Sequence, residues 1–174
     1  MSDASVEVLL DDFENKDNWD VAGAGAARTH MTTFAEGAPS KEPGVYANGA
    51  AGADYRAVAL LIRSATDDFE FTLIPKPGKS FPIPGHLEAL NLWVRSPHAS
   101  IQIFGRIGGT GPEERELLLG KVTAGAEWQR VAHDLSDPVV GADVIELKIQ
   151  LTQVVKRAGE VMILLDDLTA RTRP

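Results

Sequence analysis

The sequence predicts an all-β fold, and three observations lead to that prediction. Apolar and polar residues alternate over many short stretches, as they do in half-buried β-strands. Turn signals rich in proline and glycine separate these stretches, for example at 75–78, 82–85 and 108–112. No stretch has the spacing of apolar residues that marks an amphipathic helix. Short strands separated by turns in this way indicate a β-sandwich or a β-barrel.

The predicted strands follow one another along the chain. The first is 6–11 (VEVLLD), where the apolar positions 6, 8 and 10 alternate with positions 7, 9 and 11. The second and third, 55–63 (YRAVALLIR) and 69–74 (FEFTLI), are rich in the branched and aromatic residues that strands favour. The remaining predicted strands are 87–94, 100–107, 115–120, 127–135, 144–154 and 160–170.

Composition limits the class of protein. A length of 174 residues fits a single domain spanning 1–174. The formal net charge is −8, so the surface repels phosphate backbones, and we expect no nucleic-acid partner. There are no cysteines, which excludes disulfides, thiolate zinc sites and cysteine nucleophiles. No stretch approaches the ~20 apolar residues of a membrane span, so we expect no membrane insertion. The first residues also lack the basic and apolar regions of a signal peptide.

Three predicted strands carry an unusual mixture of side chains on the face opposite their apolar one. Tryptophan 93, for example, lies on the polar side of the alternation in 90–95 (LNLWVR). If the strands 90–95, 101–106 and 147–152 are neighbours, their polar sides form one surface with two aromatic rings, amides and cations. The candidate ligand-binding residues on that surface are Asn91, Trp93, Arg95, Gln102, Phe104, Arg106 and Gln150.

This mixture of side chains suits three roles. Aromatic rings can stack on sugar rings while amides and guanidinium groups bind the hydroxyls, as in a glycan site. Tryptophan and arginine also dominate protein–protein hot spots, so the surface could contact a protein. The third reading is an ordinary sheet face whose aromatic side chains are covered by a loop, or by arginines in cation–π contacts.

Carboxylates cluster at both ends of the chain. The segment 10–14 reads LDDFE and the segment 165–168 reads LDDL. If the first and last strands pair, these carboxylates meet, and they repel each other unless a cation or solvent separates them. Calcium prefers oxygen ligands of this kind. The alternative is that each carboxylate points into water at a strand end. The candidate ligands of a structural Ca²⁺ ion are Asp12, Glu14, Asp166 and Asp167.

The two ends also carry a resemblance to known families. The run Leu10-Asp11-Asp12-Phe13-Glu14, followed by Trp19, together with Leu165-Asp166-Asp167-Leu168 on the last strand, resembles jelly-roll carbohydrate-binding modules and the wider galactose-binding-like fold. The resemblance implies a jelly-roll β-sandwich of two antiparallel sheets. In several of these families a structural calcium ion lies between the two ends.

A second resemblance covers the middle of the chain. The segments 34–39 (FAEGAP), 83–85 (IPG), 90–94 (LNLWV) and 119–121 (LGK), then Trp128 and the final LDDL, look like the flagellar filament outer-layer (FlaA) proteins of spirochaetes. That resemblance implies a non-enzymatic protein that coats a filament in the periplasm. It implies filament or sister subunits as partners, and a periplasmic or extracellular location. Without a signal peptide in this chain, a cytoplasmic location stays open.

The functional expectation is therefore a non-catalytic module. The first hypothesis is a structural or interaction protein similar to the flagellar sheath family, and the alternative is a carbohydrate-binding module that uses the Trp93 and Phe104 surface. An enzyme is the third possibility, because paired carboxylates can hydrolyse glycosidic bonds. The candidate carboxylates lie at strand ends, so we expect no catalytic residues.

Overall fold

The computed structural model describes residues 5–11, 13, 17–34, 57–108, 115–156 and 159–173, and the structural statements below refer to these residues. A short 3-10 helix spans Ala26–Arg28. In these ranges no helix has the length and apolar character needed to cross a membrane. The strands are β1 (Val6–Asp11), β2 (Trp19–Ala22), β3 (Thr29–Phe34), β4 (Ala57–Ile62), β5 (Glu70–Pro75), β6 (His86–Arg95), β7 (Ala99–Gly108), β8 (Arg115–Val122), β9 (Gln129–Val140), β10 (Asp143–Val154) and β11 (Val161–Arg173).

The strands form two antiparallel sheets. The six-stranded sheet has the order β3-β4-β11-β6-β9, and β1 pairs with β11 beside this path. The five-stranded sheet has the order β2-β5-β10-β7-β8. The alternating residues of both sheets meet in one core, in which Leu60, Leu92, Ile103 and Ile149 are completely buried. The expectation of an all-β sandwich of two antiparallel sheets is confirmed.

The six-stranded sheet is buried on both of its faces along its central strands. On β4, Val58 and Leu60 face the core, while Ala57 and Ala59 on the other side are also at most 2% exposed. On β11, Leu164 and Asp166 of the outer side are fully buried as well. This explains why β4 (AVALLI) is a continuous apolar run, because a strand with two buried faces has no position for alternating polar residues.

The nine strands predicted from the sequence correspond to β1 and to β4 through β11. The prediction missed β2 and β3. The first of these has only four residues, and the second (THMTTF) lacks a regular apolar side. The single-domain prediction for 1–174 includes residues outside the described ranges, and it stays a prediction.

Candidate functional site

The structure divides the seven predicted ligand-binding residues between two surfaces. The strands β7 and β10 pair directly, and they bring Gln102, Phe104, Arg106 and Gln150 onto the outer face of the five-stranded sheet. The strand β6 belongs to the other sheet, between β11 and β9. The prediction that all three strands are neighbours is therefore wrong for β6. The residues left on the opposite side of the sandwich are Asn91, Trp93 and Arg95.

On the outer face of the six-stranded sheet, several neighbours of the partly exposed Trp93 contact one another. In register, Trp93 lies between the fully buried Asp166 on β11 and Arg130 on β9. The guanidinium Nη2 of Arg130 lies 2.7 Å from Oε1 of Glu7 on β1 and 2.8 Å from its Oε2. Next along β6, Asn91 is 5% exposed and donates to Oγ1 of Thr169 at 3.4 Å. Trp93 therefore borders a buried layer, which accounts for an indole on the polar side of the alternation.

The outer face of the five-stranded sheet carries partly exposed side chains in cross-strand rows. Its inward residues alternate with outward ones along β10, where Leu147 and Ile149 are buried and Lys148 and Gln150 are partly exposed. Outward residues at opposed register positions have Cβ atoms ~5 Å apart. We call the following rows the five-stranded outer face: Glu70, Gln150, Gln102 and Lys121; Thr72, Lys148, Phe104 and Leu118; Glu146, Arg106 and Glu116.

A charge network lies in the middle of this face. The ammonium of Lys148 is 4.5 Å from the centre of the Phe104 ring and 3.3 Å from Oε2 of Glu116. The guanidinium of Arg106 lies 3.4 Å from the same carboxylate oxygen. Both signs of charge thus surround the aromatic ring, and the amides of Gln102 and Gln150 stand opposite each other in the next row.

Several residues of this face were missed by the sequence prediction. Glu70 and Thr72 are on β5, next to β10, and Glu116 and Lys121 are on β8, next to β7. The alternation in 69–74 already placed Glu70 and Thr72 on the polar side of their strand. The sequence did not show which strands pair with one another. The pairing places β5 beside β10 and β8 beside β7.

The first and last strands do pair, as the calcium hypothesis requires. Register brings Asp11 of β1 opposite Leu168 of β11. Asp166 and Asp167 are 0% and 2% exposed, and their buried carboxylates have the chemistry of calcium ligands. Among the described residues, however, no group of three or more potential metal ligands comes together. The other two predicted ligands, Asp12 and Glu14, lie outside the described residues. The calcium site therefore stays a prediction.

No protein-family model matches the chain, and no curated protein does. Similar solved structures exist. One is from the Clostridium thermocellum xylanase 10B and contains its CBM22-1 and GH10 modules in complex with xylohexaose. It is 20% identical, with a TM-score of 0.57, and the match covers 98% of this chain and 29% of that one. Another is TmCBM61 in complex with β-1,4-galactotriose. It is 18% identical, with a TM-score of 0.51, and the match covers 94% of this chain and 99% of that one. A third is the family 11 carbohydrate-binding module of Clostridium thermocellum with a mixed-linked tetrasaccharide: 13% identity, TM-score 0.52, 97% of each chain.

These similarities establish the fold, which is the jelly-roll β-sandwich of carbohydrate-binding modules. The chain spans less than a third of the length of the xylanase structure and nearly the full length of the other two. The predicted resemblance to carbohydrate-binding modules is confirmed at the level of the fold. The more specific resemblance to the flagellar outer-layer family finds no support among the similar structures, and neither does a sheath role.

Proposed function

We propose that this protein is a non-catalytic carbohydrate-binding module and that the glycan binds on the five-stranded outer face. The observation that carries the proposal is the row structure of that face. Amide, carboxylate and cationic groups lie on both sides of one aromatic ring, on an exposed sheet of a jelly-roll fold.

The chemistry of the rows suits a hydroxylated ligand. Gln102 and Gln150 each offer one acceptor oxygen and two N–H donors, so each amide can bind two neighbouring hydroxyls. The ring of Phe104 offers a flat apolar surface beside them, against which the apolar side of a sugar can pack. Because these residues are on two paired β-strands, β7 and β10, their positions are held by backbone hydrogen bonds instead of by a loop.

Lys148 covers the Phe104 ring in this structure, and a stacked sugar would displace it. The displacement costs little, because exposed ion pairs contribute only about 0–1 kcal/mol and an exposed cation–π contact about as much. The displaced ammonium keeps the Glu116 carboxylate within reach at the side of the ring. Lys148 would then become a hydrogen-bond donor to the bound sugar.

The positions of the carboxylates favour binding over hydrolysis. A glycoside hydrolase needs two carboxyl groups facing each other across the scissile bond, one of them to donate a proton. Glu116 is instead paired with Arg106 and Lys148, and Asp166 is buried within the other sheet. Neither carboxylate therefore has both the exposure and the freedom from cations that this chemistry needs.

The test is a glycan-panel binding screen, with affinities measured by calorimetry. The variants are Phe104→Ala and Gln150→Ala on the proposed face. Trp93→Ala is the matched control, because it removes an aromatic ring from the outer face of the opposite sheet. We expect a panel member to bind, with affinity falling at least about tenfold in each of the first two variants and unchanged in the control.

Three results would contradict the proposal. A folded protein that binds no glycan in the panel would argue against a carbohydrate-binding function. Binding lost only in Trp93→Ala would move the site to the six-stranded sheet. Release of reducing sugar from a bound oligosaccharide would make the protein an enzyme. A periplasmic or extracellular location stays a prediction, which fractionation of the producing cells would check.

A further inference from the structure

A cavity of about 380 Å³ lies at the edge of the six-stranded sheet, apart from the five-stranded outer face. Its volume is within the ~300–1,000 Å³ range of small-ligand sites. The described residues that line it are Ala27, Arg28, Thr29, His30, Arg63 and Glu160.

The side chain of each arginine in the cavity donates to the backbone of a residue next to the other arginine. Nη1 of Arg28 donates to the carbonyl of Ser64 at 3.3 Å, and Nη2 of Arg63 donates to the carbonyl of Ala27 at 3.4 Å. The backbone N–H of Arg63 also donates to the carbonyl of Arg28 at 2.9 Å. Each guanidinium uses one of its five N–H donors in these contacts, so most of its donors remain available for a ligand.

Neither Arg28 nor Arg63 has a carboxylate partner within 4 Å among the described residues. A ligand carboxylate would supply what the protein does not, because a guanidinium binds a carboxylate through two parallel hydrogen bonds. Elsewhere in the described chain, arginines lie within 4 Å of a carboxylate, namely Arg106, Arg130, Arg171 and Arg173.

The segment that carries Arg28 is closely packed against β5. A Cβ atom on Gly25 would lie 2.5 Å from the carbonyl oxygen of Glu70, so only glycine allows this approach. The hydroxyl of Thr29 donates to the carbonyl of Gly25 at 2.9 Å, which ties the start of β3 to the same turn. The backbone that carries the two guanidinium groups is therefore held by these contacts. This lowers the conformational entropy lost when a ligand binds.

The remaining polar groups of the cavity indicate what kind of anion it takes. His30 adds ring nitrogens, and Glu160 adds a carboxylate that accepts hydrogen bonds and repels a ligand carrying only negative charge. A sugar acid satisfies both conditions, since its carboxylate can face the arginines while its hydroxyls donate to Glu160. Inorganic sulfate has no hydroxyl that could donate to Glu160.

A second cavity, of about 440 Å³, has lining residues in common with both this site and the proposed glycan face. It shares Arg28 with the first cavity and includes Glu70, which begins one of the cross-strand rows. We infer that the Arg28–Arg63 cavity binds the carboxylate of an acidic sugar residue, as a second site next to the five-stranded outer face. The choice of a saccharide over another hydroxylated acid rests on the proposed function, whereas the anion site itself does not.

The central comparison is between an acid and its ester, which have the same hydroxyls but differ in charge. The probes are a galacturonate trimer, its methyl ester, a sulfated derivative of a neutral trisaccharide and inorganic sulfate, each titrated calorimetrically into the full chain. We expect the acid to bind and the methyl ester, which keeps the hydroxyls, to bind at least about tenfold more weakly, as loss of a charge-assisted hydrogen bond implies. This comparison needs no variant, so it holds even where a substitution impairs folding.

The variants locate the binding. We expect Arg28→Gln and Arg63→Gln each to weaken the acid at least about tenfold, and Arg28→Lys to weaken it less, since lysine keeps the charge but loses the two-pronged geometry. Arg171→Gln, which removes a surface arginine that is already paired, is the matched control and should leave the affinity unchanged. Melting curves confirm that each variant is folded.

Four results would overturn the inference. These are equal binding of acid and ester, wild-type affinity in both glutamine variants, inorganic sulfate binding as tightly as the trimer, and binding of the sulfated sugar alone. The two proposals fail separately. If Phe104→Ala abolishes binding of the acid while Arg28→Gln and Arg63→Gln do not, the result supports the glycan site on the five-stranded outer face and refutes the arginine site.

Discussion

The buried carboxylate of Asp11, at the end of β1, accepts a hydrogen bond from the indole Nε1 of Trp19, at the start of β2. The same carboxylate also accepts from the backbone N–H of Phe13 and from Nδ2 of Asn18, both at 3.3 Å. The Trp19 ring is fully buried and stacks on Phe81, with 4.6 Å between the ring centres. The Asp11 carboxylate thus links β1 of the six-stranded sheet to β2 of the five-stranded sheet and, through Trp19, to the core of the sandwich.

We expect Asp11→Ala to lower the free energy of unfolding by about 1–3 kcal/mol, because it leaves the buried indole N–H without its acceptor. The matched control is Asp20→Ala on β2, whose carboxylate is 48% exposed and lies 3.8 Å from Lys76. That change should cost at most about 1 kcal/mol, as exposed ion pairs do. Urea unfolding followed by tryptophan fluorescence checks both, and equal stability losses in the two variants would contradict the prediction.

His98 makes the stability of the fold depend on pH. Burial, together with the positive charges of Lys156 and Arg95, lowers the pKa of His98 below its ordinary value of 6.5. The unprotonated Nδ1 accepts a hydrogen bond from the backbone N–H of Met162 at 3.0 Å, which a protonated ring could not do. Below pH ~6.5 His98 takes up a proton in the unfolded chain but not in the folded chain. The contribution of neutral His98 to the free energy of unfolding is therefore fully present above that pH and is lost as the pH falls towards the pKa of the folded state.

His98→Asn tests this linkage, because asparagine offers an acceptor near the position of Nδ1 and does not titrate. We expect the melting temperature of the wild type to fall more steeply than that of the variant between about pH 7.5 and pH 5. The three other histidines are present in both proteins, so the difference between the two curves isolates His98. Parallel curves would show that His98 does not carry the effect.

Gly120 on β8 allows the two sheets to approach each other at their edge. A Cβ atom there would lie 2.7 Å from Cγ1 and 2.9 Å from Cβ of Val131 on β9. We expect Gly120→Ala to destabilise the fold by about 1–3 kcal/mol, the usual cost of overpacking. Adding Val131→Ala should recover part of that loss, because it removes the clashing atoms.

Gly125→Ala is the control for the glycine prediction, since its nearest contact would be the Thr123 carbonyl oxygen at 3.8 Å. An ordinary contact of this kind should leave the free energy of unfolding within about 1 kcal/mol of the wild type. The comparison is made by urea unfolding of the single and double variants. A Gly120→Ala protein as stable as Gly125→Ala would show that the sheets can move apart at no cost.

The calcium hypothesis predicts that chelation lowers the melting temperature and that added Ca²⁺ restores it. A ligand bound only by the folded state at about 100 times its Kd stabilises by about 2.7 kcal/mol. Asp167→Asn should reduce the response, because it removes one of the four predicted ligand carboxylates. A melting temperature that chelation and calcium both leave unchanged would refute the site.

Local alternation predicted which side of each strand faces the core. Leu90, Leu92 and Val94 are fully buried, as the pattern of 90–95 indicated, and Phe104 and Gln150 are outward, as expected. Alternation is a property of one strand, so it can be read from consecutive residues. The continuous apolar run of β4 also predicted a strand, although its burial on both faces was found only in the structure.

The candidate site depended on something that no single strand contains. Trp93 and Phe104 are eleven positions apart and both point outward, but β6 pairs with β11 and β9, whereas β7 pairs with β10 and β8. The sequence by itself determined that this chain is all-β and which side chains point out of its strands. Only the tertiary structure decided which of them share a face, because sheet membership depends on pairing between strands distant in sequence, and alternation carries no information about the partner.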